Sequence, residues 1–512
     1  MVLGDLASRN TRKFPEKVAV IFEDQRLTFK AFNEKANQLA NALIATGLQQ
    51  GDRVAILNHN TLRYALSFFG IWKAGGIAVP LNNLFKAREL EFLINDSGAK
   101  IILLGDNYVE LAESMRPNLK SVEKYICFDA AREDMALFDA LLEPHSSEEP
   151  RVSLSEESCA SIVYTSGTTG IPKGVMLSHR NHLADTRNTV IEISLKPMDR
   201  ALNLLPFYHT GGICIMLRHM YVGNTQVLMK AFDPKKTLET LEKEKISIVF
   251  LVPTMLTVVL QVPNIEQYDL SNLRMVLYGA ASMPVELLKK AFDIFECEFL
   301  QIFGQTEGGP CMTILRPEDH HVEGPPNQVK KLGSAGRSII NFEVKVVHES
   351  GKEVKPGEVG EIIGRGDNVM MGYWNRPDET AETIKRGWLY TGDLATVDEE
   401  GFIYIVDRRK DMISSGGQNI YPREIEELLY THPAVLEAAV IGVPHSYWGE
   451  TVKAIVSLKK GIKVTKEEII HFCKENLASY KKPTSVEFMD SLPKSAQGKI
   501  LKNVLREMFL KN

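Results

Sequence analysis

The densest chemistry in the chain lies in residues 164–174, which read Tyr-Thr-Ser-Gly-Thr-Thr-Gly-Ile-Pro-Lys-Gly. Gly167, Gly170 and Gly174 let the backbone approach a ligand closely and turn its N–H groups inward. The hydroxyls of Thr165, Ser166, Thr168 and Thr169 add donors, and Lys173 adds a positive charge. Such a set suits a phosphate group. It is not a G-x-x-x-x-G-K-[ST] loop, because that spacing is absent. A second dense run, Glu318-Asp319-His320-His321-Val322-Glu323, has the residue types of a metal site. Adjacent histidines do not supply the i, i+4 spacing of a helical metal motif. Lying between Pro317 and Pro325, this run is expected to be a solvated loop.

Further motifs follow in a fixed order. They are Pro206-Phe207-Tyr208-His209-Thr210-Gly211-Gly212, Tyr278-Gly279-Ala280-Ala281-Ser282, Phe303-Gly304-Gln305-Thr306-Glu307, Tyr390-Thr391-Gly392-Asp393, Asp407-Arg408-Arg409-Lys410-Asp411 and Pro493-Lys494-Ser495-Ala496-Gln497-Gly498-Lys499. Each alone is weak, but their joint order is specific. Together with the glycine loop they cover nearly the whole chain. The pattern resembles the adenylate-forming superfamily, which holds acyl-CoA synthetases, adenylation domains and beetle luciferases.

The resemblance implies a chemistry and a set of roles. A carboxylate is a poor acyl donor. Its attack on the α-phosphate of ATP gives an acyl-adenylate and pyrophosphate, and catalysis of that step is mostly positioning and electrostatic stabilisation. ATP would be held by Thr165, Ser166, Gly167, Thr168, Thr169, Gly170 and Lys173, with adenine on Gly279, Ala280 and Ala281 and stacked by Phe303 beside Gly304 and Gln305. The family usually has Tyr at the position of Phe303, so here the ring remains and the phenol hydroxyl is gone. Thr306 would offer a hydroxyl to the α-phosphate and Glu307 a carboxylate to Mg²⁺, which prefers oxygen ligands. Asp393 would accept from the ribose hydroxyls and Arg408 would also reach the ribose. Lys499 would swing in and bridge carboxylate and α-phosphate. His209 would stand at the junction of acyl pocket, ATP and thiol entry, with Tyr208, Gly212 and Tyr278 lining the acyl pocket. Ser415, Gly416, Gly417 and Gln418 would line the tunnel for the pantetheine arm of CoA, and Lys410 would be the hinge at which the C-terminal part rotates between half-reactions.

The elements that must position these residues are also legible. Residues 18–22, 54–57, 77–80 and 101–104 read as strands, and 28–47 and 64–74 as helices. Such alternation argues for an α/β fold with mostly parallel sheets. Residues 344–347, 361–364 and 403–406 are short strands separated by Gly and Asp turns, a small antiparallel unit. After the charged run 407–411 the pattern restarts, with helices at 422–432 and 466–476 and strands at 436–442 and 451–458. The expected organisation is an α/β N-terminal domain of layered sheets with a small antiparallel β subdomain, residues 1–407, and an α+β C-terminal lid, residues 408–512, joined by a hinge.

Composition narrows the function class. The 512 residues are 44% hydrophobic and 24% charged, ordinary for a globular protein and unlike a disordered chain. Sixty basic against 65 acidic residues exert no global pull on nucleic acid or anionic membrane. The six cysteines are dispersed and form no C-x-x-C pair, which suits a reducing, cytoplasmic location. The opening MVLGDLASRNTRKF has no apolar signal segment, and the apolar run 246–263 is broken by polar residues, so it reads as buried strand and helix rather than a span. The expected partners are a small carboxylic acid, ATP with Mg²⁺, and CoA as co-substrate, with no nucleic acid and no integral membrane segment; a homodimer is allowed. Within the family, an amino-acid module usually shows an Asp that pairs with the substrate amine; no acid stands near Tyr208, Thr210, Gly212 and Tyr278. A medium- or long-chain fatty acid is favoured, with aryl acids and carrier-protein loading as alternatives.

Overall fold

The computed structural model describes residues 1–129, 134–165, 172–281, 283–416, 418–494 and 500–510. Among these residues the strands form four sheets. The first carries Glu298–Phe303, Met275–Gly279, Ile248–Leu251, Arg200–Asn203, Thr225–Leu228 and Val18–Phe22 side by side, all parallel. Antiparallel strands close both edges: Gln25–Thr28 at one, Thr313–Leu315 and Arg337–Ser338 at the other. The second sheet has Arg53–Leu57, Ile77–Pro80, Ile101–Leu104 and Lys124–Cys127 in parallel. Cys159–Thr165 joins it parallel to Ile77–Pro80, and Lys173–Ser178 then returns antiparallel.

Helices fill the space between these sheets, and their sequences explain why. Phe29–Ala45 starts where the Thr28 hydroxyl accepts from the Ala31 N–H at 3.2 Å, satisfying one orphan donor of the first turn. It buries Phe32, Ala36, Leu39 and Leu43 at helical spacing. Leu62–Lys73 is capped the same way by Thr61 and buries every residue except Arg63. Phe68, Trp72 and Phe207 pack with Tyr64 in one aromatic cluster that ties this helix to the segment carrying Tyr208 and His209. The apolar run 246–263 is the strand Ile248–Leu251 and the helix Pro253–Val259 inside the core. Among the described residues no helix is long and apolar enough to cross a membrane.

A third sheet, antiparallel throughout, contains Phe342–Val347, Gly360–Gly366, Trp388–Val397, Ile384–Lys385 and Ile403–Arg408. The fourth sheet belongs to a small C-terminal domain. Val435–His445, Gly449–Leu458, Ile413–Ser415 and Gln418–Ile420 run antiparallel, and Ser485–Phe488 adds a parallel edge. Helices Pro422–Thr431 and Lys466–Asn476 cover it over a separate core of Ile413, Ile425, Leu429, Val440, Val452 and Val456.

Two findings go beyond the sequence reading, and both have physical causes. Val18–Phe22 belongs to a different sheet from Arg53–Leu57, Ile77–Pro80 and Ile101–Leu104, because its parallel partner Thr225–Leu228 lies some two hundred residues away. The run 318–323 is solvated only in part: Glu318, His321 and Glu323 are exposed, but Asp319 and His320 are buried. Asp319 faces Arg337 at 3.4 Å and Lys331 at 4.0 Å, and His320 is held between two hydrogen bonds described below. Cys159, Cys214, Cys297, Cys311 and Cys473 are free thiols, and the Cys127 thiol donates to Asp106 at 3.0 Å.

Candidate active site

The glycine-rich loop leaves one strand of the second sheet and returns on the next. Thr165 stands opposite Lys173, and Tyr164 opposite Gly174. The sequence predicted a strand followed by a loop; the structure completes it as a hairpin with no helix after the loop. Ser166, Gly167, Thr168, Thr169 and Gly170 lie outside the described residues. The base of the loop is anchored from outside. The Tyr164 hydroxyl donates to Asp96 at 2.7 Å, and Arg376 pairs with the same carboxylate at 3.0 Å. Lys173 Nζ lies 5.0 Å from the ring centroid of Tyr373, a cation–π contact.

Gly279-Ala280-Ala281 and Phe303-Gly304-Gln305 begin at the carboxyl ends of adjacent parallel strands, where ligands bind in open α/β sheets. Ala280 has a φ of +64°, the left-handed region, and is exposed. A side chain in that region is strained and persists only where the surroundings enforce it. Phe303 packs, partly buried, against the apolar cluster of Val346, Val354, Ile362, Ala395 and Ile403 in the antiparallel subdomain. That apolar setting accommodates Phe in place of the family's usual Tyr.

Thr306 and Glu307 follow in a single 3-10 turn, Thr306–Gly308. The Thr306 hydroxyl shares a buried 2.9 Å hydrogen bond with Thr210. Thr210 opens the helix Thr210–Val222, which His209 caps by accepting from the Gly211 N–H at 3.1 Å. The turn before this helix is tight: a Cβ on Gly212 would fall 2.4 Å from the Pro206 carbonyl oxygen. The Glu307 carboxylate accepts from the Tyr373 hydroxyl at 3.0 Å. Burial raises the pKa of Glu307; its backbone, Tyr373 and Arg408 act in the opposite direction, and Asp393 adds to the rise. Burial and the Glu307 charge push the Tyr373 phenol well up, so it stays a donor. Thr306 and Glu307 present oxygen donors only, a set that fits Mg²⁺.

Tyr208 is buried near Tyr108, while Tyr278 is fully enclosed. The Tyr278 hydroxyl lies 2.9 Å from His320 Nε2, and His320 Nδ1 lies 2.7 Å from the Arg316 carbonyl. The carbonyl can only accept, which places the imidazole proton on Nδ1 and makes Nε2 the acceptor for Tyr278. Burial pushes His320 down to about 4, so it is neutral at ordinary pH. The histidine that looked like a metal ligand is a prop for the strand carrying Gly279. Among the described residues no group of three His, Cys, Asp or Glu side chains could hold a metal ion.

Asp393 and Arg408 are register partners on neighbouring strands, with Nε 3.2 Å from Oδ1. Asp393 is buried and Arg408 half exposed. The charged run after them faces two ways. The Arg409 N–H donates to the Gly392 carbonyl at 2.8 Å, and its guanidinium meets Glu349 and Glu361 of the antiparallel subdomain. Asp407 accepts from the Arg423 N–H at 2.9 Å, in the first turn of the C-terminal helix Pro422–Thr431. Lys410 is exposed between these attachments.

Ser415 and Gln418 pair across the hairpin of Ile413–Ser415 and Gln418–Ile420. Gly416 has a φ of +56°, and its N–H donates to the Trp448 carbonyl at 2.9 Å. Gly417 lies outside the described residues. Tyr447 and Trp448 stand exposed beside Gly416 with ring centroids 4.5 Å apart. Sequence reasoning missed this aromatic pair; two consecutive aromatics in a polar turn were the available signal. Lys499 also lies outside the described residues, with Ser495 to Gly498. Its flanks are built: Lys494 and Ile500 form a β-bridge, and Leu501 N–H donates to the Pro493 carbonyl at 2.9 Å. Lys502 then pairs with Glu426 at 2.8 Å and Arg506 with Asp411 at 2.8 Å, fixing the last helix to the rest of the domain.

Residues 7–374 match the model of the AMP-binding enzyme family, and 424–499 match the AMP-binding enzyme C-terminal domain. A feruloyl-CoA synthase from Amycolatopsis sp is 37% identical over 99% of this chain and 99% of its own. A long-chain-fatty-acid–CoA ligase from Bacillus subtilis is 37% identical over 100% of this chain and 94% of its own. The o-succinylbenzoate CoA synthetase from Bacillus subtilis, solved in complex with ATP and a magnesium ion, superposes with a TM-score of 0.86 at 31% identity, covering 99% of both chains. The chain belongs to the AMP-binding enzyme family.

Proposed function

We propose that the protein is an AMP-forming acid–CoA ligase. The observation that carries this reading is the convergence of Lys173, Tyr373, Glu307, Arg408 and Asp393 through direct contacts and mutual fields at one end of the large sheets. A substrate carboxylate oxygen attacks the α-phosphorus of ATP, forming an acyl–phosphate bond as pyrophosphate leaves. The CoA thiol then attacks the acyl carbonyl, the carbon–sulfur bond forms, AMP leaves, and the thiol proton passes to solvent. Lys173 and the glycine loop hold the departing phosphates, while Thr306 donates to the α-phosphate. Glu307 would hold Mg²⁺, which would supply positive charge against the phosphates. Asp393 accepts from the ribose once Arg408 shares it, and Ala280 offers exposed backbone to adenine.

Residues 1–407 form the adenylating body and 408–512 a lid that turns at Lys410. Lys499 enters in the first half-reaction and bridges carboxylate and α-phosphate. In the second, Ser415, Gly416, Gly417 and Gln418 guide the pantetheine arm past His209. The acid is a medium- or long-chain fatty acid, in keeping with Tyr208, Gly212 and the buried, apolar Val252 and Met255, none of which carries a negative charge for a substrate amine. An aryl acid is the second reading, favoured by the equal likeness to a feruloyl-CoA synthase. The enzyme works in the cytoplasm. The test is ATP–pyrophosphate exchange without CoA, using fatty, aryl and amino acids. Exchange driven by fatty acids supports the first reading and exchange driven by aryl acids the second; exchange driven only by amino acids overturns both.

A further inference from the structure

A strap of residues 368–374 joins the glycine loop to the Thr306–Gly308 turn, although neither is near it in sequence. On one side Met371 N–H donates to Met176 at 3.0 Å, Tyr373 pairs with Val175, and Trp374 N–H donates to Gly174 at 2.7 Å. All three partners lie on the strand that leaves the glycine loop. On the other side Asn368 Nδ2 donates to the Gly308 carbonyl at 2.8 Å, and Met370 N–H donates to the Glu307 carbonyl at 2.8 Å. The strap, with Asn368, Met370, Gly372 and Tyr373 buried, thus holds the backbone of the turn. Its base is pinned by Asn181, whose amide donates to the carbonyls of Asp367 and Val369 at 2.7 and 2.8 Å.

One side chain of the strap reaches both functional groups. The Tyr373 ring lies under the Lys173 ammonium, and its hydroxyl donates to the Glu307 carboxylate at 3.0 Å. Tyr373 is itself held: its N–H donates to the Thr380 hydroxyl at 2.9 Å. We propose that Tyr373 is a positioning residue that couples the lysine of the glycine loop to the carboxylate of the Thr306–Gly308 turn, so that nucleotide phosphate and divalent cation are bound as one unit. The hydroxyl fixes one carboxylate oxygen and leaves the other for the cation. The ring sets where the ammonium stands. The sequence gives no hint of this, because Tyr373 meets Glu307 across 66 residues.

The inference rests on the nucleotide site proposed above, and the test separates the two. ATP binding is measured by calorimetry with excess Mg²⁺ and again in EDTA. Tyr373→Phe keeps the ring and removes the hydroxyl. It is expected to weaken ATP binding about ten-fold in Mg²⁺, the loss of one hydrogen bond to a charged group, and to leave the EDTA value within about two-fold. In the Glu307→Gln background the same change is expected to cost less than about two-fold, since the charged acceptor is already gone. Tyr373→Leu removes the ring as well and is expected to weaken binding in EDTA too. Equal losses for Tyr373→Phe in Mg²⁺ and EDTA, or full additivity with Glu307→Gln, would overturn the coupling. Failure of the unaltered protein to bind ATP would overturn the nucleotide site itself, and the coupling with it.

Discussion

Gly279→Ala tests how closely the strand end under the proposed adenine shelf is built. Gly279 is the last residue of its strand, and a Cβ there would lie 2.1 Å from the carbonyl oxygen of Ile302. Ordinary contact begins near 3.4 Å, so the overlap exceeds an ångström. Ile302 is also the register partner of Gly279 in a parallel pair, and the atom in the way is backbone, which cannot rotate aside. The strands must part where Ala280 and Phe303 begin. Overpacking of this kind costs about 1–3 kcal/mol. Were about 3 kcal/mol to fall on the fold, the melting temperature of a domain near 400 residues would drop roughly 4 °C, at about 2.1 cal/mol/K per residue. Were the same amount to fall on the nucleotide-bound geometry, ATP affinity would drop roughly 100-fold. The expected result is an ATP affinity at least about ten-fold weaker with a melting shift of a few degrees, read by calorimetry on one preparation. Ala280→Gly, which relieves the left-handed alanine, should retain ATP affinity. A Gly279→Ala protein with unchanged affinity and melting temperature would refute the reasoning.

Two further outcomes are measurable, the first resting on the structure and the second on the proposed function. Glu149 accepts from Lys73, Ser8 and Asn33; burial opposes its ionisation, but these bonds hold it down at about 2 against an ordinary 4.5, while burial lowers the enclosed Lys73. A depressed carboxylate stabilises the fold above its ordinary pKa and loses that contribution as pH falls toward 2; half-exposure reduces the roughly 3 kcal/mol at full strength to about 1–2. Glu149→Gln should therefore melt about 1–2 °C lower at pH 7, with the gap closing as pH falls toward 2, and a gap that does not change with pH would contradict this. Lys499→Ala should slow acid-dependent pyrophosphate exchange by roughly 10²–10³-fold or more, by analogy with loss of one oxyanion donor, yet spare CoA transfer onto a supplied acyl-adenylate. Equal loss of both half-reactions would count against the rotating lid.

The parts of the molecule legible in the sequence are those written locally. The apolar spacing of Phe32, Ala36, Leu39 and Leu43 announced the helix that became Phe29–Ala45, and the β-rich runs at 77–80 and 101–104 became strands with those bounds. The glycine loop, the Thr306–Glu307 turn and the Asp393 and Arg408 pair were visible as short motifs because each needs special residue types in a row. What stayed hidden depends on distant partners. The sheet to which Val18–Phe22 belongs is decided by Thr225–Leu228. His320 gave a polar signal but is enclosed because Tyr278, 42 residues earlier, supplies its hydrogen bond. Tyr373 carries no motif of its own and gains its place from a strap that crosses between two distant segments. Phe303 reads as a departure until the apolar side chains of Val346 and Ile362 are seen against it.

The central claim is that acid activation and thioester formation occur in sequence with AMP as the nucleotide product. The direct measurement is the stoichiometry of AMP, pyrophosphate and acyl-CoA formed by the full chain with ATP, Mg²⁺, CoA and its preferred acid. The account predicts one AMP and one pyrophosphate for each thioester, and sustained turnover only when CoA is present. Formation of ADP in place of AMP, or turnover that ignores CoA and requires a carrier protein, would contradict it.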